Sequence, residues 1–218
     1  MNTNLDAVIT QKLERTAKAL EKNNMKAYIC ENKEEALSVV KSLLTKGETL
    51  STGGSVSLQE CGVIDLLKSG DYNYLDRTGL SGEAIEKLYR DCFSADSYLC
   101  SSNAVTEDGY LYNVDGNSNR VSAITFGPKQ VIMVVGMNKV VRNIDEAAKR
   151  VKSIAAPANT KRLSCDTYCQ KTGVCIGIDG KISDGCDGAR ICCNYVISAK
   201  QRIKDRIKVI LVKEELGF

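Results

Sequence analysis

The chain contains no histidine and no tryptophan. Without histidine there can be no Ser/His/Asp triad, no Cys/His dyad, no imidazole base and no histidine-ligated metal. Long apolar runs are also missing. The longest nearly unbroken one, Val131 to Met137, falls well short of the roughly 18 to 20 residues that a membrane span needs, so no membrane partner is expected. The N-terminal segment from Asn2 to Asn24 mixes charge into an amphipathic pattern. It lacks the apolar core and small-residue cleavage site of a secretory signal, and a cytoplasmic location is expected. No block of one charge sign appears either. The 30 basic residues are interspersed with 27 acidic ones, for a net charge of +3, which gives nucleic acid no basic patch to bind.

Hydrophobic residues make up 43% of the 218 and charged residues 26%. That balance is ordinary for an ordered globular chain, and a chain of this length can bury one sizeable core without disulfides. Residues 1–218 are therefore read as one α/β domain, with an irregular excursion at about 159–193.

Leu5, Val8, Ile9, Leu13, Ala17 and Leu20 recur at helical spacing, so the first segment reads as one amphipathic helix packed through that stripe. Ala27–Cys30 reads as a strand. Asn32 with Glu35 three residues on then signals a helix start, with Ala36, Val39, Val40, Leu43 and Leu44 on one face. Residues 48–51, a glycine turn, and Ser57 with Glu60 read as strand, turn and helix. A further helix is expected over 82–92, and strands at 97–101, 110–113, 123–126 and 130–135. Asn143 with Glu146 repeats the cap pattern ahead of a helix that Pro157 is expected to stop. Strands 193–198 and 207–212 close the chain. This alternation argues for a mostly parallel sheet with helices on both faces, and Asp108-Gly109 for one hairpin.

Three features bear on chemistry. Gly53, Gly54 and Ser55 place backbone N–H groups at a helix start, where they suit an anion or simply a tight connection. The turn matches neither the Walker spacing nor GxGxxG. Residues 102–109, followed by Asp115, Asn117, Asn119 and Arg120, set many donors and acceptors near strand ends. In open α/β sheets the crevice beyond the carboxyl ends of the strands is the usual ligand site. Glu107 is thus a candidate base or nucleophile and Asp108 a second acidic candidate. Asp108 and Asp115 are candidates to orient a substrate, Asn103 is a further binding candidate, and Arg120, Lys129 and Lys139 are candidates to hold its charge. The competing reading of these residues is turn chemistry and surface ion pairing.

The third feature is cysteine. Six of the ten cysteines, at 165, 169, 175, 186, 192 and 193, fall in a glycine-containing irregular stretch. Core cysteines tend to be isolated small hydrophobes, as Cys30, Cys61, Cys92 and Cys100 are expected to be. The clustered set suits thiolates on iron or zinc, whose binding offsets the entropy of ordering an irregular loop. Redox thiols, disulfides and inert thiols are the alternatives. The intervals x3, x5, x10, x5 and zero match neither a zinc ribbon nor the compact ferredoxin run, so spacing leaves the centre's type open.

Taken together, Gly53-Gly54-Ser55 with Ser57-Leu58-Gln59-Glu60, the stretch SNAVTEDG at 102–109, Asn119-Arg120-Val121, and Phe126-Gly127-Pro128-Lys129 running into VVGMNKVV resemble the LUD (lactate-utilisation) family, formerly a domain of unknown function. The resemblance covers nearly the whole chain. It implies a fold related to the CoA transferases, glucosamine-phosphate deaminases and ribose-phosphate isomerases. It also implies service in oxidation of L-lactate to pyruvate alongside iron-sulfur partner proteins. In the related fold, acidic residues of strand-end loops act as base or nucleophile, which by position are Glu107 and Asp108. Glycine loops there hold phosphate or CoA, which points to Gly53–Ser55. The tail, with Cys169, Cys175, Cys186 and Cys192, resembles the family's cysteine pattern, so these four are the expected ligands with Cys165 and Cys193 as alternates. The x10 gap is longer than the pattern leads one to expect.

The leading expectation is a lactate-utilisation-like protein that binds a small organic anion and holds an iron-sulfur cluster for electron transfer. The alternatives are an isomerase or CoA-transferase-type enzyme using Glu107 beside a structural zinc, and a non-catalytic subunit that docks a partner or senses redox state.

Overall fold

The structure, a computed structural model, describes residues 3–218. Asn2, first residue of the expected amphipathic segment, lies outside the described residues. The strands are β1 (Lys26–Cys30), β2 (Thr49–Thr52), β3 (Asn73–Tyr74), β4 (Ser97–Cys100), β5 (Ala104–Thr106), β6 (Leu111–Asp115), β7 (Gln130–Gly136), β8 (Val140–Val141), β9 (Asn194–Ser198) and β10 (Ile207–Val212). The helices are α1 (Thr3–Lys22), α2 (Lys33–Ser42), α3 (Val56–Glu60), α4 (Val63–Leu67), α5 (Gly82–Asp91), α6 (Asn119–Thr125), α7 (Ile144–Arg150), α8 (Ala156–Arg162) and α9 (Tyr168–Thr172).

Six strands form one sheet in the order β1-β10-β7-β4-β2-β3, and every pairing in it is parallel. Such a sheet must be covered on both faces, and the side chains of its central strands divide accordingly. Val131, Met133 and Val135 of β7, with Val209 and Leu211 of β10, face a core shared with Leu13 and Leu20 of α1 and Ile124 of α6. Ile132, Val134, Ile210 and Val212 face the opposite way, onto Ala36 and Val40 of α2, Leu58 of α3 and Val63 and Leu67 of α4. Burial of these aliphatic side chains, about 1.5–3 kcal/mol each, is the main force holding the layers together. The arrangement is the expected α/β class, a parallel sheet with helices on both faces.

A second sheet, β8-β5-β6-β9, was not expected. The anticipated hairpin at Asp108-Gly109 is real, joining β5 to β6 antiparallel. Gly109 is required there, because its φ is +77° and a Cβ would come within 2.5 Å of the backbone of Ala19. The outer face of this sheet packs Ala104 and Tyr112 under Ala147, Val151 and Ala156.

Several expectations are corrected. Residues 123–126 are not a strand but the end of α6. The Asp115 carboxylate accepts from the N–H groups of Arg120 and Val121 at 3.0 Å each, and buried Arg206 donates to the carbonyls of Ala123 and Ile124. Both ends of that short helix are thus satisfied from outside it. Pro157 does not stop the long helix. A π-helical turn over Val151–Ala155 links α7 to α8, and Pro157 occupies the first turn of α8, where its missing N–H costs little. Leu5 and Val8 stay exposed, so only the C-terminal half of the α1 stripe is core. The cap of α3 is Ser55, whose hydroxyl accepts from Leu58 N, whereas Ser57 is buried beneath. The other two caps are as expected, with Asn32 accepting from Glu35 N and Asn143 from Glu146 N.

Candidate anion crevice and cysteine cavity

The carboxyl ends of β2, β4 and β7 open into a crevice of about 370 Å³. Each strand delivers part of its lining: Gly54 and Ser55 follow β2, Ser101 and Ser102 follow β4, and Lys139 ends a 3₁₀ turn after β7. This is where ligands sit in open α/β sheets.

Lys139 forms the floor. It is only 3% exposed, and its ammonium donates to Ser57 Oγ at 2.8 Å and Ser101 Oγ at 3.1 Å. Two hydroxyls are dipoles, not counter-charges. Burial, followed by the guanidinium of Arg150, brings its pKa down from 10.5 to about 7, with Arg120 adding to the fall and Glu60 and Cys100 opposing it. Arg150 braces the turn, donating to Asn138 O at 2.9 Å and to Asn103 O at 2.6 Å.

Arg120 lies along one wall. Its guanidinium donates to Asn113 Oδ1 (2.6 Å), Asn103 Oδ1 (2.8 Å) and Val114 O (2.8 Å). The Asp115 carboxylate is 4.0 Å from its Nε. Arg120 and Asp115 therefore spend most of their hydrogen-bonding capacity on shaping the wall. Gly53 makes that packing possible, since a Cβ there would stand 2.9 Å from Tyr98 Oη and 3.1 Å from Arg120 Cδ.

Of the residues expected from sequence, Gly54, Ser55, Asn103, Asp115, Asn119, Arg120 and Lys139 all line this crevice, and Gly53 packs behind it. Three do not come to it. Glu107 and Asp108 occupy the hairpin turn, where Glu107 pairs with Arg15 of α1 at 3.0 Å and the Asp108 carbonyl accepts from Asn23. Lys129 is exposed at the start of β7, a whole strand away from the crevice, roughly 20 Å. Sequence reasoning missed Arg77 and Arg162, which also line the crevice. Neither sits in a recognisable motif. The nearest signal for Arg77 is the glycine it touches, because its Nη2 lies 2.6 Å from where a Cβ of Gly54 would be.

Beside the crevice is a narrow cavity whose lining includes Cys169, Cys175, Cys186 and Cys192, the four favoured cysteines. Cys165 and Cys193 are not part of that lining, and all ten cysteines are free thiols. Apolar Tyr112, Val151 and Ala156 supply much of the remaining wall. Burial pushes the Cys192 thiol up to about 12, and the neighbouring Cys169 and Cys175 add to it, which places these sulfurs in electrostatic reach of one another. Among the described residues no three cysteine, aspartate or glutamate side chains are gathered tightly enough to hold a single metal ion. The thiols instead surround a space.

The irregular loop is fastened by the π turn. Buried Lys152 donates to the carbonyls of Gly177 and Lys181 at 2.5 Å each, and its own carbonyl accepts from Cys175 N at 3.0 Å. Arg190 closes the far side through Cys192 O and the Tyr195 hydroxyl, both at 2.8 Å. Cys169 itself is held in α9, its sulfur 3.4 Å from the Thr167 hydroxyl and 3.5 Å from that of Thr160. Thiols on largely apolar walls, with no carboxylate or imidazole in the cavity lining, are soft donors by chemistry, of the kind iron-sulfur centres and zinc take and unlike the oxygen donors of magnesium or calcium.

Residues 13–212 match the family model of the LUD domain. The chain belongs to the LUD domain family. The match runs from Leu13 of α1 to the last residue of β10, so the LUD domain contains both cavities apart from Phe218, which also touches the crevice. Among solved structures, this LUD protein is similar to a DUF162 family protein from Deinococcus radiodurans. The identity is 15%, the alignment covers 95% of this chain and 98% of that one, and the TM-score is 0.49. No curated protein matches it. Among its described residues no helix is long and apolar enough to cross a membrane.

Proposed function

We propose that this LUD domain protein serves oxidation of a small organic acid of the lactate type. It binds the acid in the strand-end crevice and holds an iron-sulfur cluster on Cys169, Cys175, Cys186 and Cys192. One observation carries the reading: Cys192 lines both cavities, together with Ile191, Val151 and Ala156. A ligand in the crevice and a centre in the cysteine cavity would be separated by a single layer of side chains. Bound there, an iron-sulfur cluster supplies one-electron transfer at a potential set by burial and hydrogen bonds to its sulfurs.

The chain's own residues handle charge and protons. Oxidation of a 2-hydroxy acid to a 2-oxo acid breaks one O–H and one C–H bond; the two electrons pass to the redox partner protein, one proton to Lys139 in its neutral form and the other to water in the open crevice. Lys139, with its pKa brought to about 7, meets the substrate carboxylate when charged and accepts a proton when neutral. Arg120 and Asn103 hold the wall rigid around it. A redox partner protein with its own iron-sulfur centre is the acceptor to which the electrons pass. The alternative in which Glu107 acts as base or nucleophile gains nothing from the geometry, because Glu107 is engaged with Arg15 outside the crevice.

The test is iron and acid-labile sulfide content, with the visible spectrum, on protein purified without oxygen. Iron and sulfide in matching amounts, lost in Cys169→Ser and Cys175→Ser, are expected. Folded protein that takes up no iron overturns the redox reading, and colourless protein loaded with zinc reassigns the loop to a structural role.

A further inference from the structure

The crevice carries more positive charge than one carboxylate requires. Lys139, Arg77, Arg120 and Arg162 line it, against Asp115 as its single acidic residue. Arg120 and Asp115 are neighbours and offset each other. That leaves Lys139 at the floor and two guanidinium groups nearer the mouth. Arg162 donates to Asn159 Oδ1 at 2.7 and 3.2 Å, a neutral partner, and no carboxylate pairs with Arg77 or Arg162 among the described residues.

Both guanidiniums line the one crevice. Arg162 is held below its ordinary pKa by partial burial first and by the charge of Arg77 second. Arg77 comes from the segment after β3 and Arg162 from the end of α8, so the fold brings them to one crevice from separate parts of the chain. Gly54 lets the Arg77 guanidinium lie against bare backbone, where any side chain would displace it. Two cations lining one crevice with no carboxylate partner favour an anion bound there, and a guanidinium fork suits carboxylate and phosphate oxygens alike.

We propose that the natural ligand carries two anionic groups, one at Lys139 and the other clamped between Arg77 and Arg162, so that a dicarboxylate or phosphorylated hydroxy acid is preferred to a monocarboxylate. This rests on the reading that the crevice takes an organic anion. A volume of about 370 Å³ accommodates such a ligand. The Arg77–Arg162 clamp is then the determinant of specificity, and Lys139 the anchor common to every acid that binds.

The experiment is titration calorimetry of the full chain near neutral pH and at low salt with three probes: L-lactate, L-malate and 2-phosphoglycerate. At least one of the two probes that carry a second anionic group should bind about tenfold or more tighter than lactate, the gain expected of one added charge-assisted contact. In the double variant Arg77→Gln/Arg162→Gln this preference should shrink to about twofold, with lactate affinity within about threefold of the parent. Malate favoured over phosphoglycerate assigns the clamp to carboxylate, and the reverse assigns it to phosphate. Lactate binding as tightly as both of those probes, or a preference that survives the double variant, overturns the clamp and leaves the crevice reading standing. Failure of all three probes to bind the parent protein overturns both.

Discussion

Replacing Lys139 with methionine should change how stability depends on pH. The side chain is 3% exposed, and its pKa falls from 10.5 to about 7 in the folded protein. Between those values the unfolded chain holds a proton that the folded chain does not, so stability rises with pH across that window and the full penalty applies below about pH 7. A shift of this size costs the folded state about 5 kcal/mol near pH 6 and about 2 kcal/mol near pH 9, as an order of magnitude. The parent protein should therefore gain about 3 kcal/mol over that interval from this residue. Lys139→Met keeps the length of the stem and removes the charge. It should be more stable than the parent near pH 6, and the advantage should shrink by about 3 kcal/mol near pH 9. The loss of contacts to Ser57 and Ser101 offsets part of the advantage at both pH values, and groups shifted independently of Lys139, such as Arg206, cancel in the comparison. Urea unfolding of both proteins at the two pH values measures the difference directly. Equal pH slopes in the two proteins would refute the claim that Lys139 discharges near neutrality, and with it the argument that it can both hold an anion and accept a proton.

Gly109→Ala should be among the most damaging single-methyl changes in the protein. The added Cβ meets Ala19 backbone at 2.5 Å at a φ of +77°, and a fall in unfolding free energy of about 2–4 kcal/mol is expected by thermal or urea denaturation. Lys152→Met should release the cysteine loop without unfolding the sheet. Proteolytic cleavage within residues 176–190 should rise about tenfold or more while the melting temperature moves little, because the lost contacts to Gly177 and Lys181 fasten only that loop.

Where local chemistry decides structure, the sequence is legible. Asn32 and Asn143 cap helices because a short polar side chain followed three residues later by glutamate satisfies orphan N–H groups from within the same few residues. The apolar run 207–212 is a buried parallel strand, as its composition says. Where a distant group decides, it is not. The stretch 123–126 has too few residues to distinguish helix from strand by period, and what selects helix is a carboxylate at 115 and a guanidinium at 206. Pro157 breaks helices in isolation, yet a π turn before it absorbs the missing hydrogen bond. The site divides the same way. Cysteine density pointed to one loop, and the four favoured thiols do line one cavity. The glycine turn, Asn103, Arg120 and Lys139 are legible as crevice candidates because they stand near strand ends. Glu107 stood equally near a strand end in sequence, but the second sheet carries it to the opposite side of its hairpin, toward α1. Arg77 and Arg162 give no local signal, since what makes them part of the crevice is the fold, which brings both to its lining from distant parts of the chain.

The π turn at Val151–Ala155 has a consequence for how this protein can change. Such a turn amounts to one residue more than an α-helix would use over the same rise. Deleting one residue of the five would let α7 run into α8 as ordinary helix with its two halves close to their present orientation, because a π turn of this length and an α-helix one residue shorter advance through nearly the same rotation. Val151 and Ala156, which flank both cavities, would still share a helix face. The change would fall on the turn itself, where Lys152 fastens the cysteine loop. The surplus residue therefore lets the wall between crevice and cysteine cavity lose one residue without being turned, and places the cost of that loss on the anchoring of the loop.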